Sequence, residues 1–310
     1  MKKRIVVTGG LGFIGSHFIE MALEKGYHVI NIDKKTYAAR PDIDFGENEN
    51  YELIEEDICT LSHLPSNIDY LVNFAAESHV DNSITANAVF FDSNIRGVYN
   101  LLELIRSKNI EERPLFVHIS TDEVYGDILE GSKNELDALK PSNPYSATKS
   151  AAEQLIFGWA RTYGIEYIIT RSSNNFGFGQ YPEKLIPRTI EFTLQGKKMT
   201  VHGDGTYSRE WIFVKDNCAG VLVAMEKGKS GEVYNISSGT IYSNLNIVQK
   251  VLRVMGVSDD HFEYVENRIG QDIRYCIDSS KIRELGWKPI MTLDTYLPEY
   301  ITHYKKQYGK

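Results

Sequence analysis

The sequence predicts an α/β protein: a doubly wound parallel sheet of the Rossmann kind, followed by a smaller C-terminal α/β substrate lobe. Three observations predict it. Apolar runs of strand length recur between helical stretches, the rhythm of parallel βαβ units. Those runs are nearly continuous in apolar and β-branched residues, as strands covered by helices on both faces must be. The first run also leads directly into Gly9, Gly12 and Gly15 and then into a helix. With 310 residues, 42% of them hydrophobic, the chain can build a core for both units.

The expected strands are residues 4–8, 27–33, 51–56, 69–74, 115–120 and 167–171, with helices over 16–25, 94–108 and 146–163. After Arg171 the chain turns to loops rich in Gly, Asn and Pro, so the first domain is drawn over 1–171 and the lobe over 172–310. In the lobe, helices are expected over 183–194, 214–226, 244–255, 279–285 and 293–304, and strands over 199–202 and 210–214. Asp278 reads as the N-cap of the fourth of these helices and Gly286 as its stop. Residues 231–237 alternate like a strand and can return to the main sheet. The segment around 210–238 is therefore assigned back to the first domain, which makes the lobe discontinuous.

Composition narrows the partners. Forty-two acidic and 34 basic side chains give a net charge of −8 without a long run of either sign, which argues against nucleic acid or an anionic membrane surface. An anionic ligand must then meet local cations. Cys59, Cys218 and Cys276 are odd in number and widely spaced, which suits core thiols in a reducing compartment. The first residues run straight into a strand rather than a signal peptide, and no apolar run approaches membrane-spanning length. A cytoplasmic protein is expected. No pair of histidines has metal-ligand spacing, so no metal is expected.

Glycines at 9, 12 and 15 between a strand and a helix permit a tight turn, close approach of backbone to a pyrophosphate, and close packing of helix on strand. Asp33 closes the second strand, where a carboxylate binds ribose hydroxyls and repels a 2′-phosphate; NAD is expected over NADP. Lys34 and Lys35 beside it would soften that repulsion. Asp57 and Ile58 follow the third strand as candidate adenine contacts, although an acidic loop residue is commonly only solvated. Tyr145 and Lys149, four apart on a helix, share one face. A cation beside a phenol lowers its pKa, which would fit Tyr145 to act as a base on a hydroxyl, with Thr121 sharing the same oxygen. Asp122 and Glu123 follow Thr121. By themselves they read as the acidic first turn of a capped helix; their place directly after Thr121 points to catalysis.

The 8–15 loop, Ser120-Thr121 and the Tyr145/Lys149 helix resemble the extended short-chain dehydrogenase/reductase family, and most of the chain resembles its dTDP-glucose 4,6-dehydratase branch. The matching stretches are 33–38, 73–81, 119–126, 173–175, 182–187 and 278–289. The resemblance implies oxidation of a hexose at C4, elimination of water across C5 and C6, and hydride return to C6. It implies that Glu123 removes H5 and that Asp122, protonated, protonates the leaving O6. It implies cofactor contacts at Phe13, Ile14, Thr36, Ala75 and Ala76 besides those named above. For the substrate it implies Ser78, Asn174, Glu183 and Lys184 near sugar and phosphate, and Arg209, Asn244 and Arg268 at the diphosphate and nucleotide. A homodimer through the 94–108 and 146–163 helices is implied as well; their apolar stripes, including Leu101, Ile105, Leu155 and Trp159, lie on more than one side.

Several residues depart from the family pattern. Asn82 stands where arginine is usual, residues 178–181 replace the usual run before Pro182, Glu210 replaces aspartate, and Ile269 and Gln271 replace proline and histidine. These changes leave dTDP-, UDP- and GDP-linked hexoses or N-acetylhexosamines open as substrates. A C4 epimerase, a uronic-acid decarboxylase and a cofactor-binding sensor without chemistry are the alternative functions. His79 is read as packed or backbone-bonded.

Overall fold

The computed structural model describes residues 2–267 and 272–307. Six strands form where the apolar runs place them: β1 (Arg4–Thr8), β2 (His28–Ile32), β3 (Tyr51–Ile54), β4 (Tyr70–Asn73), β5 (Leu115–Thr121) and β6 (Tyr167–Ser172). They are followed by β7 (Asn174–Phe176), β8 (Met199–His202), β9 (Ser208–Phe213), β10 (Glu232–Ile236), β11 (Ile241–Ser243) and β12 (Phe262–Val265). The main sheet runs β10-β6-β5-β4-β1-β2-β3 and is parallel throughout. The strand expected over 231–237 thus returns to the main sheet. Strand order reverses between β1 and β4, so a crevice opens at the carboxyl ends of these strands.

The helices are α1 (Phe13–Glu24), α2 (Val80–Thr85), α3 (Asn87–Phe91), α4 (Gly97–Arg106), α5 (Pro144–Tyr163), α6 (Leu185–Leu194), α7 (Val214–Lys227), α8 (Asn244–Val254), α9 (Ser280–Glu284) and α10 (Leu293–Gln307). Successive residues of β1 enter opposite cores. Ile5 and Val7 join Phe18, Val221 and Ile236, while Val6 joins Leu71, Leu101 and Ile156. Full burial of each such side chain contributes about 1.5–3 kcal/mol. A polar residue in these central strands therefore requires a partner or a purpose.

Several boundaries differ from expectation for identifiable reasons. Helix α5 starts at Pro144, not 146, because Asn143 caps it. The Asn143 side chain accepts from Ser146 N–H (2.9 Å), the Ser146 hydroxyl accepts from Asn143 N–H (3.3 Å), and Pro144 fills the first turn without wasting a donor. The helix expected over 94–108 is preceded by one π-helical turn, Asp92–Arg96. That wide turn aims Asn94 at the main chain of Glu77 and at the Thr148 hydroxyl, tying the loop after β4 to α5. Helix α6 begins at Leu185, so Glu183 and Lys184 lie in the preceding turn. Ser279 rather than Asp278 is the N-cap of α9, although the Asp278 carboxylate accepts from Ser280 N–H at 2.8 Å.

In the C-terminal half, β11-β9-β7 and β12-β8 form two small sheets. Strands β7 and β11, three residues each, are too short for periodicity to reveal. Helix α6 packs on α8, whereas α7 packs on α1 and α9 on β10.

Candidate active site

Beyond β1 the chain passes through a loop with no room for side chains at Gly9, Gly10 and Gly15. A Cβ on Gly9, whose φ is +70°, would lie 2.6 Å from the Ala75 Cα, and one on Gly15 would lie 2.4 Å from the Gly9 carbonyl oxygen. Gly12 is the N-cap of α1 and no side chain caps it, so the first N–H groups of a twelve-residue helix remain for a ligand. A groove of about 110 Å³ runs beside this loop. Gly9, Gly12, Asp33, Lys34 and Thr36 form one part of its lining, and Asp57, Ile58, Ala75 and Ala76 another. The Asp33 carboxylate accepts from Leu11 N–H (2.9 Å) and Lys35 N–H (2.8 Å). Lys34 is paired with Asp57 (3.3 Å) and Lys35 with Glu55 (2.7 Å), so the two cations beside Asp33 are turned toward other carboxylates.

A larger pocket of about 330 Å³ opens at the carboxyl end of β5, and Phe13, Ile14, Thr121, Glu123 and Tyr145 form its inner end. Thr121 caps a single 3-10 turn, Asp122–Tyr125: its hydroxyl accepts from Glu123 N–H (3.3 Å) and donates to Asp122 Oδ1 (3.2 Å). The capped acidic turn and the carboxyl pair are thus the same local structure. The two carboxyls differ in environment. Asp122 is 1% exposed, and its Oδ2 is buried with no hydrogen-bond partner among the described residues. Burial, then the charges of Glu123 and Glu210, hold its carboxyl well above the usual range. The neutral acid is the form such a site favours, because an ionised oxygen without a donor is costly to bury. Glu123 reaches the pocket and accepts from Asn143 Nδ2 (3.3 Å) and the Tyr275 hydroxyl (3.4 Å). Burial raises its pKa, while Arg209 and Asn143 work against the rise.

Tyr145 and Lys149 both lie on the buried face of α5. The expected lowering of the tyrosine pKa is not what the structure holds. Burial, with the charges of Glu123 and Asp122, pushes the phenol up, and the hydrogen bond with Thr121 opposes them. Lys149 is directed elsewhere: its ammonium donates to the Ile119 carbonyl at 2.6 Å and lies 3.4 Å from His118 Nε2. Burial pushes Lys149 down to about 8, opposed by Glu153.

The same pocket reaches into the C-terminal half, where Ser78, Asn174, Glu183, Lys184, Arg209 and Asn244 line it. Lys184 donates to the Ser78 carbonyl (3.1 Å). The Arg209 guanidinium lies over the Tyr275 ring at 4.4 Å and donates to the main-chain carbonyls of Ser208 and Asp272. Arg268, the remaining candidate for a diphosphate, lies outside the described residues, as do Ile269 and Gln271. His79 accepts from Asn82 N–H (3.4 Å) and also lines the pocket. Glu210 does not: its carboxylate accepts from Ile277 N–H (3.0 Å) in the interior. Among the described residues, no group of three or more His, Cys, Asp or Glu is arranged to hold a metal ion.

Sequence reasoning missed several members of this site. Asn143, Asp272 and Tyr275 surround Glu123, the wall Met199–His202 closes the far end, and His118 lies beneath Lys149. Only Asn143 carried a local signal, the Asn-Pro pair that opens α5. His118 sits in an apolar strand and reads as packing.

With the geometry established, comparison with known proteins is informative. The family model described as GDP-mannose 4,6 dehydratase matches residues 6–300. The chain belongs to that family. It is 43% identical to the low-salt glycan biosynthesis protein Agl12 of Haloferax volcanii, over 97% of this chain and 98% of that protein. It is 38% identical to a dTDP-glucose 4,6-dehydratase of Streptomyces niveus, over 97% and 93% of the two chains. Among solved structures, DesIV, a dTDP-glucose 4,6-dehydratase from Streptomyces venezuelae with NAD and TYD bound, superposes with a TM-score of 0.91 at 35% identity, covering 99% of this chain and 98% of that one.

Proposed function

We propose that this protein is a nucleotide-sugar 4,6-dehydratase that uses NAD and takes dTDP-glucose as substrate. The observation that carries the reading is the contrast between two adjacent carboxyls: Asp122, buried with an unpartnered oxygen, and Glu123, reaching a pocket shared with Thr121 and Tyr145. An epimerase or a plain dehydrogenase needs the tyrosine but not this pair. Residues 9–15, with their backbone-crowded glycines, and Asp33 would hold the dinucleotide. When bound, oxidised NAD supplies the hydride acceptor and a positive charge that favours the Tyr145 phenolate, and it is regenerated within the same turnover.

The chain's own residues handle protons. Tyr145 takes the proton of the C4 hydroxyl while Thr121 shares that oxygen. The resulting C4 ketone acidifies H5, which Glu123 removes. Asp122, neutral at working pH, gives its proton to O6 as water leaves. Lys184 and Arg209 supply positive charge for the diphosphate, to which an arginine can present paired donors. Lys34 and Lys35, both turned from Asp33, support NAD over NADP.

Purified protein mixed with dTDP-glucose, UDP-glucose, UDP-GlcNAc, GDP-mannose or GDP-GlcNAc is expected to release water, a mass loss of about 18 Da, with dTDP-glucose. Glu123→Gln and Asp122→Asn are expected to lower that rate by about 100-fold or more. Parental rates in both variants, or C4 inversion without mass change, would refute the reading. Leu101 and Ile105 lie in the core and offer nothing to a partner, but the exposed Tyr99 of α4 and Tyr163 of α5, with Val89 and Phe91 of α3, support a homodimer through the α4 and α5 faces. Light scattering that gives a monomer at micromolar concentration would exclude it. The relatives' biosynthetic roles support a cytoplasmic location, and no described helix is long and apolar enough to cross a membrane.

A further inference from the structure

His118 is fully buried in the middle of β5, and none of the steps above uses it. Its ring belongs to a chain of polar groups crossing three central strands. The Thr8 hydroxyl donates to Asn73 Oδ1 (2.5 Å), Asn73 Nδ2 meets His118 Nδ1 (3.0 Å), and His118 Nε2 faces Lys149 Nζ (3.4 Å). Buried polar chains of this kind in the centre of a sheet are costly unless each donor meets an acceptor. The order of donors follows from one end. As the Asn73 amide is oriented, with its oxygen toward the Thr8 hydroxyl, its NH₂ points at His118 Nδ1, which in this arrangement carries a lone pair. A neutral imidazole has one N–H, so the proton is on Nε2, the atom facing Lys149.

We propose that His118 is a positioning residue for Lys149: Asn73 and Thr8 lock its ring with the proton on Nε2, and this N–H opposes the ammonium form of Lys149. An ammonium has only donors to offer, so Nε2–H and Lys149 in its charged form are mismatched, whereas the neutral amine accepts from Nε2–H while still donating to the Ile119 carbonyl. Other charges around Lys149 do not impose this. Glu153, one turn along α5, favours the ammonium but is held by Arg171 from β6 through bonds as short as 2.6 Å, and Tyr145 is an uncharged phenol here. Burial of both groups acts in the same direction as the mismatch, lowering Lys149 to about 8 and keeping His118 neutral. A lysine so held exchanges its proton close to neutral pH, next to the tyrosine that must lose and regain one. The consequence for turnover rests on the dehydratase reading proposed above, but the location of the proton does not.

The test uses the intact protein loaded with NAD and labelled with ¹⁵N-histidine. The His118 ring signals, assigned by their loss in His118→Asn, are expected to show a protonated Nε2 and an unprotonated Nδ1, unchanged from pH 6 to about pH 9. A proton on Nδ1, or a titrating ring, would overturn the proposal regardless of whether the protein is a dehydratase. In His118→Asn the alkaline limb of the pH–rate profile, where Lys149 loses its proton, is expected to move up by about one pH unit. An unmoved limb, or one moving down, would also overturn it. If the tautomer is as stated but no dehydratase activity exists, the proposed function fails and the proton assignment stands.

Discussion

Beneath the catalytic strand lies a charge pair whose removal has a calculable consequence. Glu153 is 0% exposed and Arg171 2%, and the guanidinium contacts both carboxylate oxygens at 2.6–3.2 Å. Arg171 also donates to the Tyr125 hydroxyl (2.6 Å) and the Glu135 carbonyl (3.2 Å), while the Ser120 hydroxyl donates to Glu153 (2.5 Å). The network thus joins α5 and β6 to both ends of the segment 120–125 that bears the carboxyl pair. Glu153→Met or Arg171→Met leaves one buried charge uncompensated and is expected to cost about 3–5 kcal/mol. At about 2 °C per kcal/mol for a chain of this size, Tm falls by about 6–10 °C in each single variant. The double variant removes both charges and loses chiefly the partners of Ser120 and Glu135, about 1 kcal/mol each. It should therefore be more stable than either single variant. Thermal unfolding of the four proteins, followed by circular dichroism at matched concentration, measures the coupling. Single costs below about 1 kcal/mol, or a double cost equal to the sum of the singles, would refute the argument.

Gly15→Ala places a methyl group 2.4 Å from the Gly9 carbonyl, an atom of the backbone that cannot move aside cheaply; loss of NAD binding by calorimetry is expected, and parental affinity would contradict the close-packed loop. Asp122 is held neutral in the folded state, so the stability it contributes is present at acid pH and is lost as pH rises toward its raised pKa. Asp122→Asn removes that loss: its Tm advantage over the parent is expected to be larger at pH 8 than at pH 4, and a difference independent of pH would show that the carboxyl is not held neutral. Tyr145→Phe is expected to abolish formation of reduced cofactor on mixing NAD-loaded protein with substrate, read by absorbance, while the Tm changes little.

The main sheet was legible because burial on both faces leaves a continuous apolar signature that needs no tertiary information; residues 4–8 and 167–171 read as strands on that basis, and 231–237 by alternation. The glycine loop was legible for a similar reason, since the loop's own backbone excludes a side chain at Gly15, whereas the crowding at Gly9 comes from Ala75 after β4. Tyr145 and Lys149 share a face by helical geometry, and the sequence placed them there. It did not reveal what each meets. The phenol is raised by carboxyls arriving from the end of β5, and the ammonium turns to a carbonyl and an imidazole of the strand below, partners 22 to 31 residues away that only the sheet brings near. Strands β7 and β11 were invisible because three residues hold too little pattern. The sequence by itself determined the first six strands of the main sheet, most of the longer helices, the dinucleotide loop and the reactive groups Thr121, Asp122, Glu123, Tyr145 and Lys149. Only the tertiary structure decided which of two adjacent carboxyls keeps a buried oxygen without a partner and which faces the pocket, because solvation and charge depend on neighbours in space rather than along the chain.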